Sequence, residues 1–455
     1  MKLIENLKKN KNTSCLLLLS VFIFSLSVLN YIYCNIYTSE KYNFFLIDEN
    51  GKYLLKRISF GFGMYLKEMI NGDSISLAQF GIDLPTSRRP LLPYFIISIY
   101  EFITTNFILI HLVKNIFFGL IIFYTIKNFR TGYNGLFLGF SLIIIFYNPH
   151  NSFTNLGTEN EEGILNYLII IFFFVLMSSY KFKSLFISFV LLSIFFLKGS
   201  MFLLCFAIPV IFIFTEKKTN FRYLPLIIMI IANISWGYVA FKKTGFFAIG
   251  PKSSAMNSIN LATVTHKYFN LTYPDVRPDI HLDLVESVVL KKGIKTESGL
   301  IDHLLPTSLK YIKENPWDYA VGVAKKIYIL SLSPFKDTQY PKDPDKYRAK
   351  MYSGNYELNK DIDNPIRFSN FPNKIVFNLS LFFLFFSFLK YKKNNNYINK
   401  LNIYYFSILL FYLAPYMFAW IYPRHATSLY IVSHFYILIY FIETNKMKLK
   451  KIFIV

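Results

Sequence analysis

The residues best suited to chemistry begin in FLIDENGKYL, residues 45–54, where Asp48 and Glu49 stand side by side and Tyr53 follows. A carboxylate held against a reacting hydroxyl acts as a general base, and a second acid beside it orients the first or the attacking group. Cations recur at other points along the chain: Arg88 and Arg89 in TSRRPLLPYF, Lys198 in FFLKGSMF, and Arg424 with His425 in IYPRHATS. A further acidic group, Glu159 with Glu161 and Glu162, lies in GTENEEG. A base facing fixed ammonium and guanidinium groups suits attack by a hydroxyl on a carbon that carries a phosphate leaving group. The acid takes the proton while the cations hold the charge growing on the departing phosphate, and no metal is required. A divalent ion remains compatible with the carboxylates near His150, although the histidines show no i,i+4 pairing or shared ligand motif.

The elements that must position these groups are apolar. Of 455 residues, 54% are hydrophobic and 19% aromatic, a composition that would demand a very large core in a soluble protein. Runs such as LIIMIIANISWGYVAF, 226–241, instead approach the roughly 20 apolar residues of a membrane helix. The expected class is an all-α polytopic membrane protein. The 49 basic residues against 27 acidic ones do not signal a nucleic-acid partner, because many sit in short loops between apolar runs, where the positive-inside rule accounts for them. Cys15, Cys34 and Cys205 fall in or beside apolar segments without metal-ligand spacing, so neither a disulfide framework nor a zinc site is expected.

Loop charge then sets an expected topology. The opening MKLIENLKKNKNTS followed by a long apolar run reads as a cytoplasmic N-terminus, 1–14, and an uncleaved first span at 15–34. Further runs lie near 91–126, 136–149, 163–179, 184–197, 200–215, 223–241, 374–390, 401–421 and 427–442. The basic connections 127–134, 180–184, 216–222 and 390–400, with the tail 444–455, go to the cytoplasm, which gives ten crossings. Residues 91–126 are too long for one straight span. The chain thus divides into an N-terminal transmembrane module, 15–241, whose first outer loop is 35–90, an outer segment at 242–373, and C-terminal transmembrane helices at 374–443. Within the outer segment, ENPWDYAVGVAKKIYILSLSPF reads as an amphipathic helix lying on the membrane. On this arrangement Asp48, Glu49, Arg88, Arg89, Glu159, Lys198, Arg424 and His425 all belong to one face.

Each of these residues also has a plainer reading. Asp48 and Glu49 suit the start of an interfacial helix, favoured by its dipole. Arg88 and Arg89 can anchor at lipid phosphates. Lys198 can cap a helix C-terminus, and Thr158 with Glu161 resembles a capping box.

The order of these motifs resembles the GT-C superfamily of polytopic glycosyltransferases, in the protein-mannosyltransferase-like branch that includes the lipid A aminoarabinose transferases. IDENGKY is similar to the Asp-Glu pair and Tyr that open the family's first outer loop, with Tyr53 one position later. SRRPLLPYF, FFLKGSMFLLCFAIP and PRHA are similar to later motifs, with His425 where the family has Tyr. The resemblance implies a GT-C-like helix bundle with an interfacial first loop. It also implies an inverting transfer from a polyprenyl-phosphate sugar donor to a lipid, glycan or protein acceptor, on the periplasmic side of a bacterial inner membrane. By the same resemblance Asp48 is the base, assisted by Glu49. Arg89, Lys198 and Arg424, with Arg88 beside them, hold the donor phosphate; Tyr53 and His425 fall in the matched motifs, and Glu159, placed on the same face by loop charge alone, is a candidate acceptor contact or second carboxylate. Two rival readings are an O-antigen polymerase or ligase using the loop 242–373, and a lipid-glycan flippase, which would carry charge deep within several helices.

Overall fold

A computed structural model of the chain describes residues 11–38, 107–129, 134–146, 161–217, 219–245, 296–331, 371–389, 396–418 and 426–445, with a few single positions near 247–261 and 293–294. Every regular element among them is helical. In chain order the helices are α1 (Lys11–Thr38), α2 (Phe107–Phe129), α3 (Asn134–Phe146), α4 (Glu161–Met177), α5 (Lys183–Leu197), α6 (Phe202–Thr215) and α7 (Leu224–Thr244). They are followed by α8 (Glu297–Glu314), α9 (Pro316–Ser331), α10 (Phe371–Leu389), α11 (Asn396–Phe418) and α12 (Thr427–Thr444).

Among the described residues three helical stretches are long and apolar enough to cross a membrane: Leu224–Lys242, Phe371–Leu389 and Thr427–Thr444. The long run 91–126 resolves into a helix that starts at Phe107 and continues to Phe129, three residues into what the sequence assigns to a basic loop. The early part of that run lies outside the described residues.

Local chemistry sets several boundaries. Proline in the first turn of α7 has no N–H to leave unpaired, and Gly245, at φ 72, turns the chain out of the helix in the left-handed conformation. Thr296 caps α8 by accepting the Gly299 N–H at 3.1 Å. Asn315 breaks the helical path, and Pro316 starts α9 at the position where proline is preformed for a helix.

The core is built around α4, which is buried on all sides from Gly163 to Met177, and the first half of α12, buried from Thr427 to Tyr436. A helix apolar all round belongs in the interior. α4 packs on α2, α5 and α12, while α7 lies outside against α5 and α6. Side-chain contacts give the helices their directions. Lys114 on α2 lies over the ring of Tyr167, early in α4, and Tyr124 meets Tyr180 just past the end of α4, so these two helices run parallel. Phe137, at the start of α3, stacks edge-on against Phe174 near the end of α4, so α3 runs the opposite way.

The three C-terminal helices are joined by a buried polar seam. Tyr405 bonds to both Ser380 and Ser433, the latter at 2.7 Å. Asn402 donates to Ser387 at 2.6 Å and accepts from Tyr436 at 2.9 Å. The rings of Tyr405 and Tyr436 stack at 4.1 Å. Such bonds fix rotation and register where apolar contact alone discriminates little.

One end of the bundle is tied together by Glu216, just past α6. Its carboxylate meets Lys183 at 2.8 Å and also pairs with Lys400 from α11. Tyr404 donates to it at 3.2 Å, and Thr219 at 3.3 Å. The Lys183 ammonium also donates to the carbonyls of Leu176 at 2.5 Å and Ser178 at 3.1 Å, closing the C-terminus of α4. The expected basic connections 180–184, 216–222 and 390–400 therefore meet at one end.

Burial works to raise the Glu216 carboxyl, but Lys183 and Lys400 outweigh it and hold the group below its ordinary value. A depressed carboxyl stabilises the fold fully above its unfolded value, and that stabilisation fades as the pH falls through the folded one. Glu216→Ala leaves two ammonium groups facing each other, which should cost about 3–5 kcal/mol. Thermal unfolding in detergent, followed from neutral to acid pH, checks both: the variant melts lower and loses the acid-side decline of the parent.

Candidate functional site

The opposite end of the bundle collects buried cations. Lys198 stands at the C-cap of α5 with an extended backbone, and its N–H closes the helix on Ile194 O at 2.9 Å. A single 3₁₀ turn, Gly199–Met201, then reverses the chain into α6. The Lys198 side chain is 5% exposed, with its ammonium 6.0 Å from the centre of the Tyr416 ring. The Tyr416 hydroxyl lies 3.0 Å from Ser200 Oγ, in the same turn.

A second lysine arrives from another part of the chain. Lys326 of α9 is 4% exposed and donates to Met417 O, in the last turn of α11, at 2.9 Å. α9 is fixed in that position at its own C-terminus, where Tyr430 donates to Leu330 O at 2.8 Å and Asn378 to Ser331 O at 2.6 Å. Lys198 and Lys326 thus converge on consecutive residues of α11. The last carbonyls of that helix carry the negative end of its dipole, which favours cations there.

Two more buried lysines belong to the same end. Lys114 lies over Tyr167, whose neighbour Asn166 accepts from Ser428, in the first turn of α12, at 2.6 Å. Lys374, beside buried Asn373, is in the first turn of α10. Among the described residues the buried lysines are therefore Lys183 at the Glu216 end and Lys114, Lys198, Lys326 and Lys374 at the other. Helix capping and ring stacking explain how Lys198 and Lys326 are held. Ammonium groups gathered at one end suit an anion, phosphate above all.

Of the residues expected from sequence, Lys198 is the one that the structure describes. Asp48, Glu49, Tyr53, Arg88, Arg89, Glu159, Arg424 and His425 lie outside the described residues. The segments that carry them attach at the lysine end: 39–106 rejoins the bundle at Phe107, 147–160 at Glu161, and 419–425 connects α11 to α12. Lys114, Lys326 and Lys374 were not singled out from sequence. Lys114 had a signal, a charge within the apolar run HLVKNIFF. Lys326 follows Lys325, and sequence alone does not say which of two adjacent lysines turns inward. Among the described residues no group of three His, Cys, Asp or Glu is placed to hold a metal.

Compared with protein-family models, curated proteins and solved structures, the chain matches none.

Burial lowers the Lys326 ammonium from the ordinary lysine value to about 8. Above that point the unfolded chain binds the proton more tightly than the folded one, so stability should rise with pH until the unfolded group also titrates. Lys326→Met should flatten that rise. Melting temperature measured in alkaline buffers, parent against variant, checks the assignment.

Proposed function

We propose that the chain is a multi-pass membrane glycosyltransferase that moves a sugar from a polyprenyl-phosphate donor to a lipid, glycan or protein acceptor. The observation that carries this reading is the collection of four buried lysines at one end of the bundle, the end where the segments bearing Asp48, Arg89 and Arg424 attach. The ten-crossing topology belongs to the same proposal. It is supported by the alternating directions of the helices and by the convergence of three basic connections on Glu216 at the other end. The lysine end then faces outward, toward the periplasm of a bacterial inner membrane.

The chemistry follows from that placement. A donor lies with its isoprenoid tail in the bilayer and its phosphate at the lysine end. Asp48 takes the proton from the acceptor hydroxyl, and the oxygen attacks the anomeric carbon from the face opposite the phosphate. The bond from that carbon to the phosphate oxygen breaks, and its electron pair leaves with the polyprenyl phosphate. Lys198, with Arg89 and Arg424, holds the charge that accumulates there, so configuration at the anomeric carbon inverts. Glu49 orients the base, while Arg88, Glu159, Tyr53 and His425 border the two substrates. Fixing acceptor and donor in line lowers the barrier further.

The flippase reading needs polar groups lining a path through the helices. The interior polar groups of α10, α11 and α12 bond to one another, and Asn233 of α7 accepts the Gly250 N–H at 2.7 Å. Those bonds serve packing.

Asp48→Asn should lower transfer by about 10²- to 10⁴-fold while the protein inserts and melts as the parent does. Lys198→Met should lower it by about 10²- to 10³-fold. Mass spectrometry of envelope lipids and glycans from cells carrying each variant reads both, and full transfer by Asp48→Asn refutes the assignment of the base.

A further inference from the structure

We infer that α9 is embedded in the lipid hydrocarbon of one leaflet, with acyl chains against its outward face, and that the boundary between lipid and water runs between α8 and α9. This stands apart from the sugar-transfer reading and rests only on a membrane being present.

The two helices are consecutive, yet they present opposite surfaces. The outward residues of α8 include Ser298, Asp302, Thr307, Lys310, Lys313 and Glu314, and Lys310 pairs with Glu314 at 3.8 Å in the open. That is a hydrated face. Past the break at Asn315 the pattern changes. α9 exposes Trp317 at 77%, followed by Val321, Ala324, Ile327 and Tyr328, an apolar stripe at helical spacing. Of its two lysines, Lys326 turns inward and is buried, while the Lys325 side chain lies outside the described residues. A helix in water seldom buries an ammonium group while it leaves such a stripe outside.

Continuity with the neighbouring surface settles the occupant. α9 packs on α10 and α11. α10 is one of the three helices apolar and long enough to cross a membrane, and it exposes Ile375, Leu379, Phe382 and Phe385. The stripe on α9 extends that surface. Trp317 and Asp318, at the start of α9, stand where α8's charges stop, the level at which indole rings favour the membrane interface. Hydrogen bonds from Tyr430 and Asn378, and that from Lys326 to Met417, hold α9 at this depth.

The test uses tryptophan fluorescence. The full chain carrying Trp236→Phe and Trp420→Phe retains Trp317 as its sole indole. It is reconstituted in phosphatidylcholine vesicles with plain or brominated acyl chains. Brominated chains should reduce the emission about two-fold, as for an indole at the hydrocarbon boundary, while aqueous iodide has little effect. A control with Lys310→Trp and Trp317→Phe in that same background should respond the other way. If the doubly replaced chain fails to fold, the difference in bromolipid quenching between the parent and Trp317→Phe gives the same measure. Quenching of Trp317 by iodide but not by brominated lipid would overturn the inference. Protection from both would also overturn it, because another protein surface would then cover the stripe. Cross-linking through Trp317→Cys would show whether that surface is a second copy.

Discussion

A charge removed from water must be answered within reach of its own side chain, and in this bundle that requirement is met most fully at Glu216. Its carboxylate faces Lys183 and Lys400, accepts from Tyr404 and Thr219, and so draws together the end of α6, the start of α5 and the start of α11. Lys183 carries the connection to a fourth helix by closing the last carbonyls of α4. The central helix, the hairpin beside it and the C-terminal group are thereby referenced to one point. The seam of Tyr405, Asn402 and Tyr436 then sets the C-terminal helices against each other. With one end fixed, the cations at the far end acquire defined places instead of sampling the surface as solvated lysines do.

The two ends therefore treat lysine differently. At the Glu216 end the ammonium groups share a carboxylate and the result is cohesion. At the other end Lys198 and Lys326 meet the last turn of α11, where a ring face and the helix dipole help to hold them.

Much of the helical framework was legible in the sequence. α7 was expected at 223–241 and found at Leu224–Thr244, because an uninterrupted apolar run is bounded by a proline and a glycine. α9 was expected from the spacing of its apolar residues and found within the anticipated stretch. Lys198 was marked in advance because a lysine before a glycine, between two apolar runs, is costly without a use. Glu216 was not. In the sequence it opens the basic connection EKKTNFR, and nothing local tells that Lys400, far along the chain, returns to it. Lys326 was missed for a related reason: local spacing gives the stripe, but packing against α11 decides which lysine faces inward. Long-range packing is the part that periodicity does not encode.

The hairpin of α5 and α6 sets one further condition on its surroundings. α6 has 14 residues and α5 has 15, so at 1.5 Å per residue each rises only about 21–23 Å. Ionic groups close both ends, Lys183 and Glu216 on one side and Lys198 on the other. A typical bilayer has a hydrocarbon thickness of about 30 Å. A hairpin of this length set in such a bilayer leaves a mismatch of several ångströms, which thinning of the surrounding lipid or snorkelling of its end lysines takes up. Thinning at the Lys198 turn would leave a phosphate carried by a lipid less far to climb from the membrane mid-plane there than elsewhere around the protein.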